Sequence, residues 1–170
     1  MRDIVEIRIV GRDPARVREF AGELGATPCA TYEEALRGAD VVAATTHALD
    51  PVVRREWLAP GAHVNSVGLN PQGREVDDLT VQEASLFVES RPSALALPPA
   101  GAPDLLGVDP ARVTELGELV LGERPGRSGD DELTLYKSVG VAVEDAVAAA
   151  LVLKAAHERG MGVEIEVGGE

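Results

Sequence analysis

The sequence predicts an α/β fold, a Rossmann-like and mostly parallel sheet flanked by helices. Three observations carry that expectation. Short apolar or β-branched runs alternate with helical patterns along the chain, which in one domain means a parallel sheet with helices on its faces. The runs end on glycine and polar residues, most clearly between Leu58 and Asp77 (LAPGAHVNSVGLNPQGREVD). Apolar residues make up 45% of the chain but aromatics only 3%, so the core must be built from Val, Leu, Ile and Ala.

The elements follow in order. Ile4 to Val10 (IVEIRIV) alternates apolar with charged residues and reads as a strand. Asp13 is a helix cap, Pro14 fits the first helical position, and Gly25 closes that helix. A short strand is expected near Thr27 to Ala30. Thr31 caps a helix through Leu36 that Gly38 stops. Asp40 to Thr45 is a buried strand, Pro51 to Leu58 a short helix, and Ala62 to Val67 a strand apolar enough to be covered on both faces. A helical turn or two spans Asp77 to Ala84, and Leu86 to Glu89 is another strand. Four prolines make Arg91 to Pro110 loop-rich, with one helical turn at Ser93 to Leu97. Pro110 opens a helix to Val120, Gly122 to Asp131 is a polar loop, Leu133 to Val139 a strand, and Val141 to Glu158 a long helix. Val163 to Val167 alternates again and would make a terminal strand.

With 170 residues the chain can bury a real core. The net charge of −13, from 29 acidic and 16 basic side chains, argues against nucleic acid and against an anionic membrane surface. The apolar run Val141 to Leu153 is too short and too charged to span a bilayer. One cysteine, Cys29, excludes an internal disulfide and a cysteine-based metal cluster, and a reducing cytoplasm is the expectation. Cys29 itself reads as a small buried apolar residue.

Four segments carry candidate chemistry. Gly68 ends the Ala62–Val67 run and lets backbone come close to something bound, as happens at the carboxyl ends of parallel strands; an ordinary glycine turn accounts for the pattern equally well. Arg12 stands just beyond the first strand, where a dinucleotide fold reads the adenosine ribose, and its planar cation suits a 2′-phosphate. A solvated loop arginine is the plainer reading. Thr45 and Thr46 follow the second buried strand, with hydroxyls and small neighbours against which a ribose or ring can lie. His47 there is a candidate proton donor, though a lone loop histidine is usually just solvated. His63 reads as structural. Lys137 and Ser138 stand at the end of the strand Leu133–Val139; the alternative is a strand-to-helix turn with Ser138 as cap. No histidine has metal-ligand spacing with its neighbours.

Three blocks taken together resemble the ornithine cyclodeaminase/mu-crystallin family: LAPGAHVNSVGLNPQGREVD, ELGELVLGERPGR and DDELTLYKSVGVAVEDAVAA. The likeness runs from about Ile4 to Val167. It implies that residues 1–170 are a partial NAD(P)-binding Rossmann domain, lacking the usual first strand and its glycine-rich loop. Residues 141–167 would be a helix and strand packing against a substrate domain that is also missing. The family moves hydride between a nicotinamide and an imine or amine carbon. By position, Arg12 would read the adenosine end and favour NADP(H) over NAD(H). Thr45, Thr46, Val67, Gly68, Ser138 and Val139 would line the nicotinamide side, and Asn70 would face the substrate.

The family's cyclodeaminase has an aspartate where Asn70 stands. A neutral amide is no general base, so ketimine reduction or alanine-type dehydrogenation is favoured over ornithine cyclisation. The full-length form would act on an amino acid or cyclic imine and would be a homodimer. The chain alone is expected to be inactive and to bind dinucleotide weakly. The rival reading is a catalytically inactive α/β fragment or a non-enzymatic interaction module.

The absent strand has a physical consequence. In a 3-2-1-4-5-6 sheet the first strand is central, so Ile4–Val10 and Asp40–Thr45 lose their common neighbour. Each buried backbone group left unpaired costs about 1–3 kcal/mol. A domain's whole stability is only about 5–15 kcal/mol. Either the two strands pair directly, or a partner supplies a strand, or the natural chain is longer.

Overall fold

A computed structural model of the chain describes residues 3 to 163 and Ile165. It has two units, Met1–Val139 and Gly140–Glu170. The first holds all of the β-structure found among the described residues: β1 (Arg8–Ile9), β2 (Thr27–Pro28), β3 (Val41–Ala44), β4 (His63–Ser66), β5 (Ser85–Val88), β6 (Val113–Glu115) and β7 (Thr134–Lys137). Five strands form one sheet in the order β3-β4-β7-β5-β6, and β1 and β2 form a second. Every pairing is parallel.

Local chemistry explains the helices of this unit. In α1 (Pro14–Leu24), Asp13 accepts hydrogen bonds from the N–H groups of Ala15 and Arg16, and Pro14 occupies the first turn. Gly25 ends the helix with φ 64°, a backbone state that costs glycine nothing. Val17 and Ala21, four residues apart, are its buried face. Thr31 caps α2 (Tyr32–Leu36), Asp77 caps α3 (Asp78–Glu83), and Ser90 caps α4 (Arg91–Ala94).

The core lies on one face of the five-stranded sheet. Val42, Val64, Leu86, Val88, Val113 and Leu135 are all buried there, each adding roughly 1.5–3 kcal/mol relative to exposure. The other face is covered less. Val41 and Ala43 are exposed, and His63, Asn65 and Tyr136 are half-buried. β4 is therefore not a strand buried on both faces, as its composition suggested; its burial alternates because His63 and Asn65 point to the open side.

Several elements differ from expectation. Only Arg8 and Ile9 of the Ile4–Val10 run are in a strand, because β1 has a neighbour on one side only. Pro51–Leu58 contains one 3-10 turn, Arg55–Trp57, while Val53 makes a lone bridge to Val76. The helix expected from Pro110 to Val120 is three elements: a 3-10 turn (Pro110–Arg112), β6, and α5 (Leu116–Val120). β-Branched Val113 and Thr114 pair with Leu86 and Phe87 at the sheet edge, so the demand of the ladder overrides a pattern that fits a helix equally well. A further 3-10 turn, Pro103–Leu105, lies in the proline-rich connection.

β1 and β3 do not close on each other. β1 pairs only with β2, and β3 only with β4. Between them runs a groove of about 430 Å³, lined by Asp3 to Arg8 on one side and by Ala35, Gly38 to Val41 and Ala43 on the other.

The second unit is the helix α6 (Ala142–Arg159), ended by Gly160 at φ 61°. Val143, Val147, Leu151, Val152 and Leu153 are exposed along it. The expected terminal strand, Val163 to Val167, falls mainly outside the described residues. Among the described residues no helix is long and apolar enough to cross a membrane.

Candidate functional site

Three parallel strands end at the same level. Ala44, Ser66 and Lys137 are partners in register across β3, β4 and β7. The ladder runs one step further, with Val67 N–H donating to Ala44 O (2.9 Å) and Ser138 N–H to Ser66 O (2.9 Å). The residues that follow each strand are therefore Thr45-Thr46, Val67-Gly68 and Ser138-Val139. They are the same six positions singled out for the nicotinamide side, now brought to one edge by strand register. Thr45 and Val67 are exposed, Thr46, Ser138 and Val139 half-buried, and Gly68 buried.

A buried polar network fixes these ends. The Glu75 carboxylate accepts from Thr46 N–H (2.5 Å), Thr46 Oγ1 (2.8 Å), Ser66 Oγ (2.6 Å) and Gly68 N–H (3.0 Å). Beneath it Lys137 Nζ donates to Ser66 Oγ (3.0 Å) and Gly68 O (2.5 Å), and lies 3.9 Å from Glu75 Oε2 and 3.2 Å from Asp104 Oδ2. Asp104 in turn accepts from the N–H groups of Glu75 and Val76, each at 2.8 Å. All three charged side chains are buried. A buried ion of this kind persists only when it is paired and its remaining hydrogen-bonding capacity is filled, as here.

The interior constrains two of these residues. Lys137 stands at a strand end, but its side chain points into the interior and holds loops together, so it is not available to a cofactor. The side-chain alternation of a strand sends residue 137 inward and residue 138 the other way. Gly68 has a reason of its own in the protein: a Cβ there would overlap Thr46 O and the Glu75 carboxylate. Glycine is required because the β3 loop closes on the β4 loop at that point.

Asn70 lies in the same loop. Its Oδ1 accepts from Gln72 N–H (3.0 Å) and its Nδ2 donates to His47 O (3.3 Å). His47 Nδ1 reaches Leu69 O at 2.6 Å, so the two loops are tied twice. Ser138 Oγ donates to Glu89 at the end of β5. Arg12 is exposed in the turn between β1 and α1, away from these strand ends in sequence and in sheet. His63 is a satisfied structural histidine, within 2.7 Å of Thr134 Oγ1 and 3.3 Å of Asn65 Oδ1, and burial lowers its pKa. Cys29 is buried, and desolvation raises its thiol pKa. No metal-binding group of three or more His, Cys, Asp or Glu side chains occurs among the described residues.

Sequence reasoning passed over Glu75 and Asp104. Glu75 was legible as a charge beside the apolar Val76 at the end of a glycine-rich loop. Asp104 carried no signal, because its partners come from a loop 28 and 29 residues earlier.

Known proteins resemble this chain closely. The ketimine reductase mu-crystallin of Mus musculus is 39% identical over 150 residues, which are 86% of this chain and 46% of that protein. The structure of Thermococcus litoralis Delta(1)-pyrroline-2-carboxylate reductase in complex with NADH and L-proline superposes with a TM-score of 0.82 at 31% identity, covering 93% of this chain and 52% of that one. An archaeal alanine dehydrogenase dimer with bound NAD superposes with a TM-score of 0.79 at 26% identity, covering 95% and 52%. The chain thus spans about half the length of the relatives it matches. With the sequence profile of the ornithine cyclodeaminase/mu-crystallin family matching residues 1–160, the chain belongs to that family.

Proposed function

We propose that residues 1–139 form the dinucleotide-binding part of an NAD(P)-dependent imine reductase or amino-acid dehydrogenase. The observation that carries this reading is the registered edge: Thr45-Thr46, Val67-Gly68 and Ser138-Val139 meet where parallel strands end, which is where open α/β sheets bind ligands. The residues fit the flanks of a dinucleotide. Thr45 and Val67 are exposed to meet a ring or ribose, Gly68 keeps the loop close to the strand ends, and Arg12 offers an exposed cation for a 2′-phosphate. The glycine-rich phosphate loop is not among these residues, and the pyrophosphate has no counterpart here for the N–H groups that ordinarily hold it.

The nicotinamide supplies the chemistry, a hydride exchanged with the substrate carbon. An imine C=N takes up that hydride and a proton to become an amine, and the reverse oxidises the amine. This chain's part is to position. Glu75 and Lys137 hold the three strand ends in one rigid edge, and a rigid edge is what keeps reacting atoms aligned. Asn70, neutral and engaged with its own loop, faces the substrate as a positioning group rather than as a base. Imine reduction fits that better than cyclodeamination of ornithine. The 141–167 segment is assigned to packing against a substrate-binding part, in a homodimer that acts on an amino acid or cyclic imine.

The test uses two proteins, the 170-residue chain and a form extended to the length of its relatives. The extended form should consume NADPH with Δ1-pyrroline-2-carboxylate. The short chain should show at most weak heat of binding with NADPH in calorimetry. Conversion of ornithine to proline and ammonia by the extended form, with no net change in nicotinamide, overturns the reading.

A further inference from the structure

We infer that His47 is the proton donor of the imine reduction, acting through Nε2 on the substrate nitrogen. The role rests on the functional reading above and adds to it the source of the proton that accompanies the hydride.

An exposed loop histidine ordinarily moves with its loop, but this one is held. Thr46, the residue before it, has its N–H and hydroxyl bound by the buried Glu75 carboxylate, and its carbonyl lies where a Cβ on Gly68 would fall. His47 O accepts from Asn70 Nδ2 (3.3 Å), and Leu49 O accepts from Arg74 N–H (3.2 Å). Between these two bonds the loops close on Gly73, where a Cβ would lie 2.5 Å from Ala48 O and from Leu49 Cα. Residues 47–49 are thus clasped along their length by the loop that follows β4. The clasp begins directly after the strand-end pair Thr45-Thr46, and the His47 side chain is exposed there.

The hydrogen bond of the ring decides its tautomer. Nδ1 lies 2.6 Å from Leu69 O, and a carbonyl oxygen only accepts, so Nδ1 carries the hydrogen. Nε2 is then the nitrogen that gains and loses a proton, while Nδ1 stays bonded to Leu69 in both states. The neighbouring polar groups are otherwise engaged. Asn70 is a neutral amide. Glu75 is buried and accepts from Thr46, Ser66 and Gly68. Arg74 pairs with Asp78 and donates to Asp104 O (2.9 Å). Asp50, three residues along the same loop, is exposed and brings a carboxylate rather than a cationic acid.

The atoms balance as follows. The carbon of an uncharged imine takes hydride from the reduced nicotinamide and forms a C–H bond. The C=N π pair moves to nitrogen and forms an N–H bond with the proton of His47 Nε2. The imine is reduced to the amine, the nicotinamide is oxidised, and the imidazole is left neutral until water returns its proton.

Two experiments test this. In the 170-residue chain, nitrogen-15 NMR of neutral His47 should show hydrogen on Nδ1 and a bare Nε2. The other tautomer, or a mixture of the two, overturns the proposal. In the form extended to the length of its relatives, His47→Asn keeps a donor for Leu69 O but has no proton to give, so its melting temperature should match the parent's. Its kcat/KM for Δ1-pyrroline-2-carboxylate with NADPH should fall about 100-fold near pH 6. The ratio of parent to variant rate should shrink as the pH rises from about 5 to 8, the range in which histidine side chains lose their proton, and the substrate's own titration cancels in that ratio. His47→Ala should regain rate with added imidazole. A ratio near one, a ratio constant with pH, or no rescue by imidazole overturns the proposal and leaves the functional reading standing. Where neither variant folds, the tautomer decides. No imine reduction by the parent overturns the functional reading and the proposal with it.

Discussion

Lys137 Nζ lies 3.2 Å from Asp104 Oδ2, with both side chains removed from water. Lys137 ends β7, and Asp104 sits in a 3-10 turn of the proline-rich connection. The pair joins a strand end to a loop, and through Glu75 and Ser66 it reaches the β3 and β4 loops as well. The edge at which Thr46, Gly68 and Ser138 meet is stiff because of a contact beneath it.

Lys137→Met should therefore cost about 3–5 kcal/mol, since it strands two buried carboxylates without their cation. Urea denaturation of the variant beside the parent measures it. A loss below about 1 kcal/mol would mean that the cation is not needed to neutralise the site.

Gly68→Ala should destabilise by roughly 1–3 kcal/mol, because the new methyl must displace the Thr46 carbonyl or the Glu75 carboxylate. In the extended protein it should weaken NADPH binding more than it lowers the melting temperature of the remaining fold. Unchanged binding with a lower melting temperature would confine Gly68 to a packing role.

Glu132 has its pKa lowered to about 2, first by the Ser85 hydroxyl and then by the Ser128 N–H and hydroxyl. The folded pKa is below the unfolded one, so the stability it contributes is present above about pH 4.5 and is lost as the pH falls from there towards 2. Glu132→Gln should flatten stability across that window and leave the alkaline limb unchanged. An acid limb identical to that of the parent would exclude the contribution.

Arg12→Asp should invert cofactor choice in the extended protein, from NADP(H) to NAD(H). Arg12 is exposed and lies beyond β1, so the substitution leaves the core intact. The ratio of kcat/KM for the two cofactors reads the effect, and equal ratios before and after would remove Arg12 from the ribose site.

By itself the sequence determined what depends on local chemistry. Asp13-Pro14 and Gly25 bound α1, Thr31 caps α2, and the short runs around Val41, Val64 and Leu135 become strands, because caps, turns and side-chain period act within a few residues. The family resemblance named the six strand-end positions, and Gly68 and Ser138 also stood out as the residues on which two of the apolar runs end. Only the tertiary structure decided that Val113–Glu115 is a strand, because its partners Leu86 to Val88 are distant in sequence and three residues, Val-Thr-Glu, suit a helix as well. It alone turned Lys137 inward onto Asp104 and Glu75, since pairing of buried charges is set by which loops meet beneath the sheet. And it alone showed that β1 pairs with β2 and β3 with β4 rather than with each other, since pairing between strands distant in sequence is set by the tertiary fold.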